Sequence, residues 1–431
     1  MKKIGIGLLG CGVVGSGVVR NLAAHKEDIA KRLDAELEIK KIADLDLGKK
    51  SDIPKLPDGL FTKDINDVIS RDDVDIVVEL IGGEKIAFDG IKKAIENGKH
   101  VVTANKHLLA KRIETILDMA AKAGVEVGFE ASVAGAVPVL RTLKEGIALG
   151  GIKSIFGIVN GTANYILTKM TESNVEFNDV LKEAQKLGYA EADPTYDIEG
   201  IDAAHKITII ANMAYGTPVD FDSVYTEGIS GLTPEDFYFA AQFSRVIKLL
   251  AIARMDDGRI DVRVHPAMVP CDRPIAKVDG VTNAVEIETD AADLMLIGPG
   301  AGGDATSTAV ISDIVEIARN IVNGCVGRVS PVAFLRNARK ELALKPIEEV
   351  RSSYYMRFSV DDKPGVLAAM SGILGKNNIS IESVIQKGRS QETVPLVILT
   401  HEAKEKEVRD AVKELDELET TRSKTKIIRL L

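Results

Sequence analysis

Lys2-Lys-Ile-Gly-Ile-Gly-Leu-Leu-Gly10-Cys-Gly12-Val-Val-Gly15 opens the chain and decides its fold. The apolar run through Leu9 reads as a strand, the glycines as a tight turn, and Val18, Val19 and Leu22 have the spacing of a helix that starts at once. Such a turn lets the pyrophosphate of a dinucleotide approach bare backbone and rest on a helix N-terminus, where free N–H groups and the dipole favour an anion. Gly10, Gly12, Val13, Val14 and Gly15 are the candidate contacts. A second strand, Leu37 to Ala43, ends on Asp44, an acid suited to bind the ribose hydroxyls of NAD and to repel the additional phosphate of NADP. The interval from the glycines to Asp44 exceeds the usual ~20 residues and predicts a long first helix through Lys31.

Downstream the alternation continues. Val74 to Ile81 reads as a strand, Asp89 to Asn97 as a helix closed by Gly98, and His100 to Thr103 as a strand. A helix through Lys122 capped by Gly124 and a strand Val125 to Phe129 follow. Strands and helices in this order predict an α/β fold with an N-terminal Rossmann-type, doubly wound parallel sheet. Ligands of such sheets lie past the carboxyl ends of the strands, which places Gly82 and Lys106 toward the cofactor. An exposed surface lysine is the alternative reading of Lys106. From Ser132 to Gly303 the alternation stops, which predicts a central α+β substrate domain. There Ile155 to Val159 is a strand leading to Thr162, which either caps the next helix or meets substrate or cofactor. Asn283 to Glu288 and Leu294 to Gly298 are further strands, and Gly298 to Thr308 is a second glycine-rich turn before a helix from Ala309 to Asn323.

The run from Gly188 to Lys206 concentrates carboxylates and an amine. If a helix begins near Gly200, Asp202 and Lys206 stand four residues apart on one face, and the Asp-Pro loop before it presents Glu191. Such a cluster can hold an amino acid and move a proton. A solvated acidic loop followed by an ordinary helical ion pair is the alternative.

Thr103-Ala-Asn-Lys106, Glu130-Ala-Ser-Val133-Ala-Gly135, Val159-Asn160-Gly-Thr162-Ala-Asn164-Tyr165 and the run with Asp202 and Lys206 closely resemble the homoserine dehydrogenases, in the same order and across the whole chain. The resemblance implies NAD(P)-dependent interconversion of L-aspartate 4-semialdehyde and L-homoserine. It implies that Lys206 is the proton donor and that Glu191 and Asp202 bind substrate; Asp197, in the same run, is a further substrate-binding candidate or a loop residue. Lys106 would be a second lysine between substrate and nicotinamide, and Gly188 and Gly303 further nucleotide-site positions. It also implies a sodium ion at Glu130, Val133, Gly135 and Val137, through carbonyl oxygens that leave no side-chain signature. A homodimer or higher homo-oligomer, and a return of the helix after Gly303 to the nucleotide domain, rest on the same resemblance. Many members carry an arginine after the second strand to meet the NADP phosphate, whereas this chain reads Ala43-Asp44-Leu45-Asp46. NAD(H) is therefore the expected cofactor, with NADP(H) left open.

Physical chemistry makes the same demand of the site. As hydride reaches an aldehyde carbon, negative charge grows on oxygen and must be met by a positioned donor. A partly buried lysine beside another cation has its ammonium form destabilised, which moves it toward a useful acid strength. Lys206 is thus expected to protonate the alkoxide and Lys106 to polarise the carbonyl or orient the substrate, while Asp193 is read as a loop residue.

Leu335 to Val350, rich in charge around Pro346, reads as a linker. Beyond it, Tyr354 to Val360, Ile379 to Gln386, Thr393 to Thr400 and Lys424 to Leu430 read as strands, with helices Val366 to Lys376 and Glu405 to Leu415 between them. This βαββαβ order with Asp-Lys-Pro-Gly365 resembles an ACT domain, a ferredoxin-like regulatory fold that commonly pairs and binds amino acids. Threonine is the effector the resemblance suggests, with Gly365, Asn377 and Asn378 as candidate contacts; a dimerisation module without a ligand is the alternative. The expected domains are 1–131 with 304–335 returning to it, 132–303, a linker 336–352, and 353–431.

The balance of the chain narrows the function classes. At 431 residues it predicts two or three domains. A net charge of −9 without a basic patch argues against nucleic acid, and no apolar run is long enough to cross a bilayer. Three scattered cysteines, Cys11, Cys271 and Cys325, suit the reducing cytoplasm, and no cleavable signal is read at the start. A phosphorylating semialdehyde dehydrogenase would need a nucleophilic cysteine, and none is well placed. A non-catalytic sensor with a relict nucleotide fold would not need both lysines and both acids.

Overall fold

The computed structural model describes residues 1–46, 53, 56–57, 59–148, 151–387 and 393–431. Its chain divides into two compact units, Met1–Gly161 with Asp202–Val224 and Val281–Leu342, and Thr162–Ile201 with Tyr225–Gly280 and Ala343–Leu431.

In the first unit the opening run forms β1 (Lys2–Leu9), followed by α1 (Val13–Ala24), α2 (Lys26–Leu33), β2 (Ala35–Ala43), β3 (Phe61–Thr62), α3 (Asn66–Ile69) and β4 (Ile76–Glu79). Then come α4 (Lys85–Glu96), β5 (His100–Thr103), α5 (Lys106–Ala123) and β6 (Val127–Gly128). The six strands pair in the order β3-β2-β1-β4-β5-β6, all parallel. This is the doubly wound order, with its switch point between β1 and β4. Central strands of a parallel sheet are covered on both faces, which is why Ile4, Ile6, Leu8, Ile76 and Val78 are all fully buried. Val18, Val19 and Leu22 of α1 close one side of this core, together with Ala309, Val310, Ile314 and Ala318 of the helix Gly303–Asn323.

The expected long first helix through Lys31 is two helices. His25 leaves the helical region (φ −110°, ψ 17°), so α1 keeps its apolar face on the sheet while α2 buries Leu33 alone. The strands foreseen over Val74 to Ile81 and Val125 to Phe129 are shorter, at Ile76–Glu79 and Val127–Gly128. After Glu79 the backbone N–H groups of Ile81 and Gly82 turn back to the Glu79 carboxylate instead of a neighbouring strand. The helices foreseen from Asp89 and Ala309 begin earlier, at Lys85 and Gly303.

The rest of this unit holds an antiparallel ladder, Ile152–Ile158 against Thr282–Thr289 against Asp293–Pro299. It also holds the helix Ile201–Tyr215, buried at every residue from Asp202 onward. A helix that is covered all round belongs to a core.

In the second unit two twelve-residue strands, Arg245–Asp256 and Arg259–Pro270, pair antiparallel. This hairpin, absent from the expectations above, turns at Asp257 and Gly258, both left-handed (φ 49° and 75°), as a two-residue Asp-Gly turn requires. The C-terminal module is βαββαβ: Arg351–Asp361, Val366–Lys376, Ile381–Gln386, Thr393–Thr400, Glu405–Asp416 and Lys426–Leu430. Tyr354, Phe358, Met370, Leu374, Leu396, Ile398, Val408 and Leu415 form its core. Its last strand runs parallel to Arg259–Pro270, pairing Arg429 with Ala267. Arg429, itself buried, bonds Glu405 at 2.9 Å and Glu227 at 2.7 Å, so the module is fastened by a paired charge as well as by the ladder. The stretch read as a linker is also tied down. Arg339 forms a bidentate pair with Glu114, Leu342 N–H donates to Thr217 at 2.9 Å, and Lys345 N–H donates to the Ile260 carbonyl at 2.7 Å. No described helix is long and apolar enough to cross a membrane.

Candidate active site

The turn after β1 shows what each glycine does. Gly10 is left-handed (φ 94°), and a Cβ there would stand 2.7 Å from the Leu80 carbonyl oxygen; a Cβ on Gly15 would stand 2.4 Å from that of Gly10. A Cβ on Gly12 would meet nothing within 4 Å among the described residues, and Val13 is exposed, leaving an open approach to the N-terminus of α1. Val14 is half-buried behind it. Asp44 is fastened to this turn: its Oδ2 accepts the Cys11 N–H at 2.6 Å and its Oδ1 that of Asp46 at 2.8 Å. Gly303 comes to the same place, since a Cβ on it would meet Val13 at 3.0 Å. Gly82, left-handed at φ 77°, lies in the turn after β4.

Asp202 is the centre of a buried cluster. In the first turn of its helix and 4% exposed, it accepts the Lys206 Nζ at 2.7 Å and the Asn160 Nδ2 at 2.9 Å on Oδ2, and it pairs through Oδ1 with the Lys106 Nζ. Lys206 also donates to the Val159 carbonyl at 2.6 Å. Burial alone would raise the Asp202 carboxyl, but the two ammonium groups outweigh it and hold that carboxyl well below the usual range. A carboxylate therefore stands between the two lysines. Lys206 is buried, whereas the Lys106 side chain is 41% exposed. Beside them His205, fully enclosed, stacks on Phe221 at 4.3 Å and lies 4.9 Å from the His107 ring. Burial first, then His107, pushes the His205 ring down to about 4.

Glu191, exposed, and Asp197, half-buried in the helical turn Thr195–Ile198, belong to the other unit, as does Gly188, exposed and left-handed at φ 75°. The Asp193 carboxylate accepts the Thr195 N–H at 3.1 Å, where that helical turn starts. Thr162 is not a cap: its helix begins at Gly161, and its hydroxyl donates to the Tyr189 carbonyl at 2.6 Å.

Glu130 is buried, and its carboxylate accepts the N–H groups of Leu140 and Arg141 at 2.9 and 2.7 Å. Burial raises its carboxyl to about 7. Ala134 and Gly135 are both left-handed (φ 53° and 57°), which folds the backbone between Val133 and Val137 sharply. A Cβ on Gly135 would stand 2.6 Å from Gly300. Among the described residues no three His, Cys, Asp or Glu side chains gather as metal ligands, so a cation here would rest on carbonyl oxygens. In the C-terminal module Gly365 (φ 92°) precedes the helix Val366–Lys376, and Asn378 is left-handed at φ 57°. The Asn377 amide is already engaged, donating to the Ile373 carbonyl at 3.0 Å and to Glu414 at 3.2 Å.

A doubly wound sheet with an open glycine turn, and two amines on one buried carboxylate, fit the class to which the comparisons assign the chain, the NAD(P)-dependent oxidoreductases acting on a CH–OH group. The homoserine dehydrogenase family model matches residues 138–315, the model of that family's NAD-binding domain residues 10–130, and the ACT domain model residues 354–420. Homoserine dehydrogenase of Neisseria gonorrhoeae is 45% identical over 432 residues, covering 100% of this chain and 99% of its own. The crystal structure of a homoserine dehydrogenase from Thiobacillus denitrificans matches with a TM-score of 0.95 at 44% identity, covering 100% of this chain and 99% of that one. A hyperthermophilic archaeal homoserine dehydrogenase in complex with NADPH matches at 28% identity and a TM-score of 0.61, over 73% of this chain and 97% of its own. The chain belongs to the homoserine dehydrogenase family, with a C-terminal ACT domain.

Two positioning groups escaped the sequence reading. Asn160, quoted above only within a motif, bonds Asp202; Glu79 passed unremarked inside the strand read over Val74 to Ile81, although an acid following the apolar run Val77-Val78 is itself a signal. A buried neutral histidine also has a measurable consequence. With its folded value lowered from 6.5 to about 4, His205 contributes stability that is complete above pH 6.5 and is lost as pH falls through about 4. The melting temperature should therefore drop more steeply between those limits in the wild type than in His205→Phe, and equal slopes would contradict it.

Proposed function

We propose that the Asp202 cluster is where L-aspartate 4-semialdehyde is reduced, reversibly, to L-homoserine. The observation that supports this most is the pair of lysine amines on a single buried carboxylate. A bound nicotinamide supplies the hydride. As charge grows on the substrate oxygen, Lys206 gives it a proton and Lys106, the more exposed amine, polarises the carbonyl. Asp202, Glu191 and Asp197 are the substrate-binding acids of this reading. Asp202 also holds Lys206 one helical turn away, while the Val159 carbonyl limits where its Nζ can stand.

Gly10, Gly12, Val13, Val14, Gly15, Gly82, Gly188 and Gly303 are the nucleotide contacts of this reading. Asp44, fixed to the turn, and Leu45, 81% exposed where a cation would meet a 2′-phosphate, favour NAD(H). The NADPH seen in the archaeal relative keeps NADP(H) as the second cofactor. The sharp fold at Ala134 and Gly135 suits a sodium ion held by the carbonyls of Glu130, Val133, Gly135 and Val137. The enzyme acts in the cytoplasm as a homodimer or higher homo-oligomer, and its ACT domain senses threonine through Gly365, Asn377 and Asn378.

NADH consumption with aspartate semialdehyde, repeated with NADPH and with threonine, tests the reading as a whole. The expected result is a higher kcat/KM with NADH and a lower rate with threonine. A preference for NADPH overturns the Asp44 argument, and threonine-insensitive turnover removes the effector. In Lys206→Ala, kcat should fall about 100-fold or more with nucleotide affinity nearly unchanged; near-normal kcat would remove Lys206 from the chemistry.

A further inference from the structure

Glu79 ends β4 and has no exposed surface. A carboxylate there is costly to desolvate unless donors meet it, and three do. Its Oε1 accepts the N–H groups of Ile81 at 2.8 Å and Gly82 at 3.1 Å, and its Oε2 accepts the Thr103 hydroxyl at 2.6 Å. The first two donors belong to the turn carrying Gly82 and Gly83, both left-handed (φ 77° and 73°). The third stands on β5, where the parallel register sets Thr103 beside Glu79. Thr103 Oγ1 in turn accepts the Asn105 N–H at 3.1 Å. Asn105 then joins both sides: its Nδ2 donates to the Gly83 carbonyl at 2.7 Å, and its Oδ1 caps α5 by accepting the Leu108 N–H at 3.1 Å. Lys106 is the next residue and the first of α5.

We propose that Glu79 is a positioning residue that makes the Gly82–Gly83 turn and the start of α5 one rigid piece, and so sets where the Lys106 amine stands. The proposal rests on the role given to Lys106 above. An apolar side chain at this position leaves two N–H groups and a hydroxyl without partners. Aspartate is one methylene short of both elements. Glutamine keeps an acceptor for Ile81 and Gly82 and can donate to Thr103 Oγ1, so it keeps the two elements linked, at the cost of the acceptor for the Thr103 O–H.

The test compares Glu79→Ala, Glu79→Gln, Thr103→Val and Lys106→Met in the full chain, by steady-state kinetics with NADH and aspartate semialdehyde and by fluorescence titration of NADH alone. Thr103→Val keeps the shape of a fully buried side chain and removes the hydroxyl that links β4 to β5. Glu79→Ala should lose about 10- to 100-fold in kcat and Thr103→Val about 10-fold, both with NADH affinity within about 3-fold of wild type, and Glu79→Gln should recover most of the rate. Wild-type kcat in Thr103→Val, or equal losses in Glu79→Ala and Glu79→Gln, overturns the proposal even if Glu79→Ala fails to fold. Lys106→Met separates the two readings: wild-type kcat there sinks the role of Lys106, whereas a slow Lys106→Met beside a normal Thr103→Val sinks only that of Glu79.

Discussion

A carboxylate with almost no access to water sits between two ammonium groups, and much of the first unit is arranged to make that tolerable. Removing a charge from water costs several kcal/mol even after relaxation, so Asp202 is stable where it is because Lys206, Lys106 and Asn160 meet both of its oxygens. Its place in the first turn of a helix adds the favourable end of the dipole. The partners come from three segments: the residues just past the strand Ile152–Ile158, the start of α5, and the helix Ile201–Tyr215. One interaction thereby fixes three backbones and gathers two amines on one carboxylate.

The parallel sheet supplies the complementary half of the apparatus. Because every strand runs the same way, the turns after β1, β4 and β5 all open past one edge. The glycines there have distinct tasks. Gly10 and Gly15 allow backbone to pack on backbone, and Gly12 leaves the helix N-terminus bare for an anion. Glu79 and Asn105 then join the turn after β4 to the helix that carries Lys106, so the lysine's position follows from strand register.

Local spacing made a large part of this legible. The glycine run, the apolar strands and the four-residue step from Asp202 to Lys206 are properties of neighbouring residues, and each is visible without knowing the fold. What stayed hidden depends on distant pairing. Glu79 meets Thr103 through strand register, and the Thr162 hydroxyl reaches the Tyr189 carbonyl instead of its own helix. The break at His25 has no glycine or proline to announce it. In the hairpin of the second unit, the run Leu249-Leu-Ala-Ile-Ala253 is continuously apolar, so alternation gave no strand signal and only Asp257-Gly258 marked the turn.

The account depends on the charge of Asp202, more than on its shape. The most direct measurement is kcat for Asp202→Asn across a range of pH, beside the wild type and with NADH affinity measured on both. Asparagine fills the same space and keeps one acceptor oxygen for Asn160 and an amine, but it removes the negative charge that both amines share. Turnover should fall by about 100-fold at neutral pH with nucleotide binding intact. An Asp202→Asn enzyme with wild-type turnover and pH dependence would contradict the claim that this carboxylate organises the reacting amines.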